Sequence, residues 1–160
     1  MTGYDAHMSA AVSQQWSCPG QTRLCPQLRR RTRRALCPFP RIVDDAELVM
    51  AELFANACRH SRSGTGGATV INISALPSEL VLLSVTDEGP RPRADGRPLR
   101  PHLKPLDSTA PGHRGLRLVA ALADDWGHWP TGEGGNAVWA LFEPSTTVST
   151  ARLDPLSQRN

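Results

Sequence analysis

The chain has 160 residues, of which 39% are hydrophobic and 21% charged, and a formal net charge of +3. Those values suit one globular domain with tails better than two domains. No apolar run approaches the roughly 18 residues needed to span a bilayer, and the opening MTGYDAHMSAAVSQQWS lacks the basic start and apolar block of a secretory signal. The expectation is a cytoplasmic protein whose cysteines, Cys18, Cys25, Cys37 and Cys58, are reduced thiols. They form no CxxC pair and their spacing is irregular, so no metal-thiolate site is expected.

The charge is unevenly spread. Residues 1–41 hold seven arginines against one acid, Asp5, while the remainder is net −3. Arg29, Arg30, Arg31, Arg33 and Arg34 crowd into QLRRRTRRAL. Such a block either lines a surface for phosphates or an acidic partner, or is the solvated face of a helix. No aromatic residue interleaves with it, which disfavours a nucleic-acid partner.

Residues 1–21 show no usable period and read as a loose tail. Pro26 suits the first turn of a helix over about 27–36, with Leu28, Ala35 and Leu36 on its apolar side. The CPFP segment ends it, because Pro38 and Pro40 lack amide donors. The next helix carries the clearest pattern. Asp44 or Asp45 is expected to cap it, and Ala46, Val49, Leu53 and Ala57 recur at spacings of three and four up to about Ser61. Gly64, Gly66 and Gly67 then break the chain. ATVINISA and ELVLLSVTD are β-rich runs joined by LPS, the pattern of an antiparallel hairpin.

From about residue 90 to 111 prolines and charges replace periodicity, which reads as a long functional loop. HRGLRLVAALA predicts a third helix, followed by two strand candidates, DWGHWP and NAVWALF, around a Gly-rich turn. Residues 144–160 read as a disordered tail. The domain proper is expected over 22–143. This element order predicts an α+β fold, a two-layer sandwich with helices on one face of a mixed, mainly antiparallel sheet.

Three segments carry candidate chemistry. In ELFANACRH, Glu52, Asn56 and His60 are four apart and share a helical face. A carboxylate and an amide so placed can polarise a water and ligate a hard cation such as Mg²⁺. In VTDEGP, Asp87 ends a hydrophobic strand before Gly89. A carboxylate there can accept from an exocyclic amine while glycine admits a flat ring close to the backbone. In GHRGLRLV, two glycines and an arginine precede a helix, whose free amides can meet phosphate oxygens. Each segment alone also fits an ordinary surface helix, an Asp-Gly turn or a helix start. No P-loop or Rossmann fingerprint is present.

Taken together, the three resemble the N, G1 and G2 boxes of the GHKL superfamily, which includes gyrase, heat-shock chaperone, histidine kinase and mismatch-repair ATPases. The resemblance covers roughly residues 27–142. With LADDWG and GGNAVWALF following, it is similar in particular to the short actinobacterial anti-sigma-factor serine/threonine kinase branch. It implies the Bergerat fold, ATP and Mg²⁺ as cofactors, and a sigma factor and an anti-sigma antagonist as partners, with a homodimer allowed. It also implies roles. Glu52 would be the general base and Asn56 the Mg²⁺ ligand. Asp87 and Gly89 would take the adenine, and Gly112, Arg114, Gly115 and Leu116 would wrap the phosphates under a lid over 90–111. His60 matches a frequent position without an assigned chemistry. Two departures stand out: Arg91 replaces the second glycine of the G1 box, and Asn136–Ala137 follow the Gly pair where a threonine is usual. The departures leave a non-catalytic binding module as the alternative to a kinase.

Overall fold

The computed structural model describes residues 12–91 and 114–143, the side chain of Arg114 excepted. Gly112, nearly all of the expected lid and the stretch 144–160 lie outside the described residues. Five strands form one sheet: β1 (Val12–Pro19), β2 (Ala68–Ala75), β3 (Val81–Asp87), β4 (Asp125–Pro130) and β5 (Asn136–Phe142). Their order is β1-β2-β3-β5-β4, and the expected mixed, mainly antiparallel sheet is antiparallel at each of these pairings. Three helices accompany it: α1 (Cys25–Ala35), α2 (Val43–His60) and α3 (Arg114–Leu122).

Strand alternation explains the layering. Burial in β2 switches at every residue, as period-two side chains require when one face is covered. Ile71, Ile73, Val81, Leu83, Val85, Ala140 and Phe142 join Ala46, Val49, Met50, Leu53 and Phe54 of α2 in one buried cluster. Helix α2 packs on β3 and β5 and against α1 and α3. It is the spine of the domain. On the opposite sheet face Leu82 and Trp129 are exposed, and Trp129 stacks on Trp139 with centroids 5.9 Å apart.

Two expectations at the N-terminal side are corrected. Residues 12–19 are a strand and not part of a loose tail; β1 lies at the sheet edge, with Val12 opposite Ala75 and Pro19 opposite Ala68. Its sequence hides it, because an edge strand carrying Ser13, Gln14, Gln15 and Ser17 buries one large side chain, Trp16. The N-cap of α2 is Ile42, with no side-chain cap. Asp44 and Asp45 lie inside the first turn instead, where their charge favours the positive helix end.

The arginine block is divided by its partners. Arg29 and Arg33 both donate to the buried carboxylate of Glu47 on α2, at 2.8 and 2.6 Å. Arg33 also holds Asp44 at 2.6 Å. Arg31 lies over the Trp16 indole, 4.5 Å from its centroid, a cation–π contact. These three arginines fasten α1 to α2 and β1. Replacing Glu47 by Ala is expected to cost about 1–2 kcal/mol, since charge-assisted bonds are lost while the half-exposed guanidinium groups return to water. Arg30→Ala is expected to change stability by less than about 0.5 kcal/mol. Urea unfolding of the two variants checks both values.

Candidate functional site

Asp87 is the last residue of β3. By alternation from Val81, Leu83 and Val85 it points to the helix side, just past the end of the hydrophobic cluster. Its Oδ1 accepts from Gly89 N at 2.7 Å. Burial raises its carboxyl above the ordinary 3.8, and the Gly89 and Asn136 amides and Arg62 offset that only partly. Asn136, the first residue of β5, lies directly opposite in the strand register. Gly89 adopts φ +85°, and a Cβ there would stand 2.0 Å from Gly134 O. Any side chain at 89 would therefore both strain the backbone and push the β4–β5 turn away from the carboxylate.

Glu52 and Asn56 sit one turn apart on α2, both partly exposed. The start of α3 is pressed against them. A Cβ on Gly115 would stand 2.5 Å from Glu52 Oε2 and 3.4 Å from Asn56 Nδ2. Glycine is what lets the first turn of α3, whose leading amides have no acceptor within the helix, come this close to a carboxylate and an amide. Leu116 is partly buried against the core. The two halves meet where α2 ends: Ser61, five residues beyond Asn56, forms an isolated bridge with Pro90, three residues beyond Asp87.

The structure thus brings together Glu52, Asn56, Gly115 and Leu116 on one side and Asp87 and Gly89 on the other. His60 is exposed at the last residue of α2. Asn56 Oδ1 accepts from Arg59 Nη2 at 2.7 Å, so a cation taking that oxygen would displace a guanidinium. No group of three or more His, Cys, Asp or Glu among the described residues could hold a metal ion. A cation here would depend on the oxygens of a bound ligand, which is usual for Mg²⁺.

Sequence reasoning missed three participants. Arg59 was legible only as a neighbour of Asn56 at i+3. Asn136 appeared as a lost threonine, yet its backbone amide serves Asp87 and its Oδ1 lies 3.4 Å from His128 Nδ1. Arg91 appeared as a lost glycine, yet it spans the junction between the two halves.

A family model described as the histidine kinase-like ATPase domain matches residues 18–142. The chain belongs to that family. No curated protein matches it. Among solved structures, this histidine kinase-like ATPase domain is similar to a chain in the crystal structure of the RsbU and RsbW domains of Rv1364c from Mycobacterium tuberculosis. The TM-score is 0.58 at 16% identity, over 82% of this chain and 32% of that one. At that identity the likeness shows the fold, and this chain spans about a third of the matched chain's length. No helix among the described residues is long and apolar enough to cross a membrane.

The raised carboxyl gives the domain a pH signature. Between the ordinary value of 3.8 and the raised folded value of Asp87, the folded state holds more protons than the unfolded one. The Asp87 contribution to stability therefore falls as pH rises through that window. A ligand amine donating to Asp87 would be held more strongly by the ionised form, so its affinity should fall on acidification through the raised value. Titrating ligand affinity against pH, with Asp87→Asn as the flat control, checks the sign.

Proposed function

We propose that this chain binds ATP with Mg²⁺ and acts as an anti-sigma-factor-like regulator that phosphorylates a serine or threonine of an antagonist protein. The observation that carries the reading is Gly115 seated on Glu52 and Asn56, which sets a helix start beside a carboxylate and a side-chain amide. The residues fit the cofactors. Asp87 has the depth and charge to accept from an adenine amine, and Gly89 keeps the β4–β5 turn close beside it. Asn56 would hold Mg²⁺, and Gly112, Arg114, Gly115 and Leu116 would surround the phosphates.

ATP supplies the phosphoryl group, and Mg²⁺ neutralises charge on its oxygens. Glu52 would take the proton from the attacking hydroxyl. The first-turn amides of α3 would donate to phosphate oxygens, where the positive helix end favours negative charge. Catalysis would then consist mainly of positioning and electrostatics. The sigma factor and antagonist enter from the family resemblance, which also allows a homodimer, and a cytoplasmic setting is the expectation from the sequence.

A second reading is a non-catalytic module that holds a partner, with nucleotide bound weakly or absent. It is favoured by Asn56 Oδ1 being engaged by Arg59 and by Arg91 in the glycine position. Labelled ATP incubated with the chain and candidate antagonists separates the two. The kinase reading expects label on a serine or threonine of one antagonist. Tight partner capture without any transfer would favour the second reading.

A further inference from the structure

Hydrogen bonds lace the exit of β3 to the end of α2. Arg62 donates from Nε to Glu88 O at 2.8 Å, and from Nη2 to the same oxygen. Its backbone amide donates to Gly89 O at 2.9 Å, and Glu88 N donates to Ser63 Oγ at 3.0 Å. One consequence falls on α2. Had the helix continued, the Arg62 amide would have served Cys58 O, four residues earlier. That carbonyl is left for another donor.

Arg91 is the donor. Its Nη2 reaches Cys58 O at 2.9 Å and its Nε reaches Ser61 O at 3.0 Å. A cation here satisfies carbonyls at the helix end and opposes the negative end of the helix dipole. Gly64 forms the notch that admits it: a Cβ on Gly64 would stand 1.7 Å from Cys58 O and 2.9 Å from Arg91 Nη2. Glycine at position 91 would leave Cys58 O without this partner.

We infer that Arg91 is a positioning residue that locks the α2 half of the nucleotide site, with Glu52 and Asn56, to the β3 half, with Asp87 and Gly89. This rests on the proposed nucleotide reading. A ligand engaging both halves depends on their spacing, whereas one engaging only the Asp87 half does not. Arg91 thus couples the phosphate side to the base side, and its position two residues past Gly89 makes the coupling direct.

The test uses the full chain and two probes, ATP with Mg²⁺ and adenosine, titrated by NMR. Arg91→Ala is expected to weaken ATP by roughly tenfold, a usual size for coupling between sites, while adenosine changes by less than about twofold. Arg91→Lys should recover part of the loss, because an ammonium lacks the fork that reaches both carbonyls. Gly64→Ala should reproduce the loss by closing the notch; should that variant not fold, the two Arg91 variants decide. Equal weakening of both probes, or an unmoved ratio of ATP to adenosine affinity, would overturn the assignment alone. A wild type that binds neither probe would overturn the nucleotide reading and this assignment with it.

Discussion

Glu52→Ala is expected to reduce phosphoryl transfer by about 10²–10⁴-fold, the usual contribution of a positioned general base, while ATP still binds. Glu52 lies on α2 with Oε2 facing Gly115 at the start of α3. In the proposed mechanism a carboxylate there would act on the incoming hydroxyl and would not hold the nucleotide. Its neighbour separates the roles. Asn56→Ala should impair both binding and transfer, because losing the proposed Mg²⁺ ligand would leave the phosphates less well neutralised. It would also release Arg59 from Asn56 Oδ1. Transfer to an antagonist and nucleotide affinity must be measured on each variant. Intact transfer in Glu52→Ala would remove it as the base.

Asp87→Asn is expected to weaken ATP by roughly ten- to a hundredfold, which corresponds to about 1.5–3 kcal/mol for a charge-assisted hydrogen bond. The fold should survive. Burial already opposes the charge of Asp87, so a neutral amide removes a desolvation cost, and its oxygen can still accept from Gly89 N. Thermal unfolding should therefore show no loss of stability near neutral pH, and the acid dependence of affinity should disappear. Unchanged ATP affinity in this variant would sink the base-binding role of Asp87.

Patterns confined to one element were legible in the sequence. The stripe Ala46, Val49, Leu53 and Ala57 gave α2, the β-rich runs gave the β2–β3 hairpin, and the segment HRGLRLVAALA gave α3. Those elements carry the candidate site, which is why its residue types and order were readable. What escaped depends on partners distant in sequence. Strand β1 is an edge strand with polar outward residues, and its partners on β2 lie 49 to 63 positions away. Glu47 draws two arginines from α1 across 18 and 14 positions, so the arginine block looked like a free face. Arg91 and Arg62 act across 26 to 33 positions on backbone carbonyls, and no local pattern marks such contacts. Asp44 and Asp45 were plausible caps by composition. The turn through Phe39 and Ile42 started α2 two residues earlier, with Val43 N bonded to Phe39 O.

Calorimetric titration of the purified chain with ATP, in the presence of Mg²⁺ and again with the cation chelated, decides whether the domain binds the nucleotide. Saturable binding to a single site is expected, and it should weaken when Mg²⁺ is withdrawn, because Asn56 and the phosphates would share the cation. A folded chain that shows no binding at millimolar ATP in either condition would contradict that expectation.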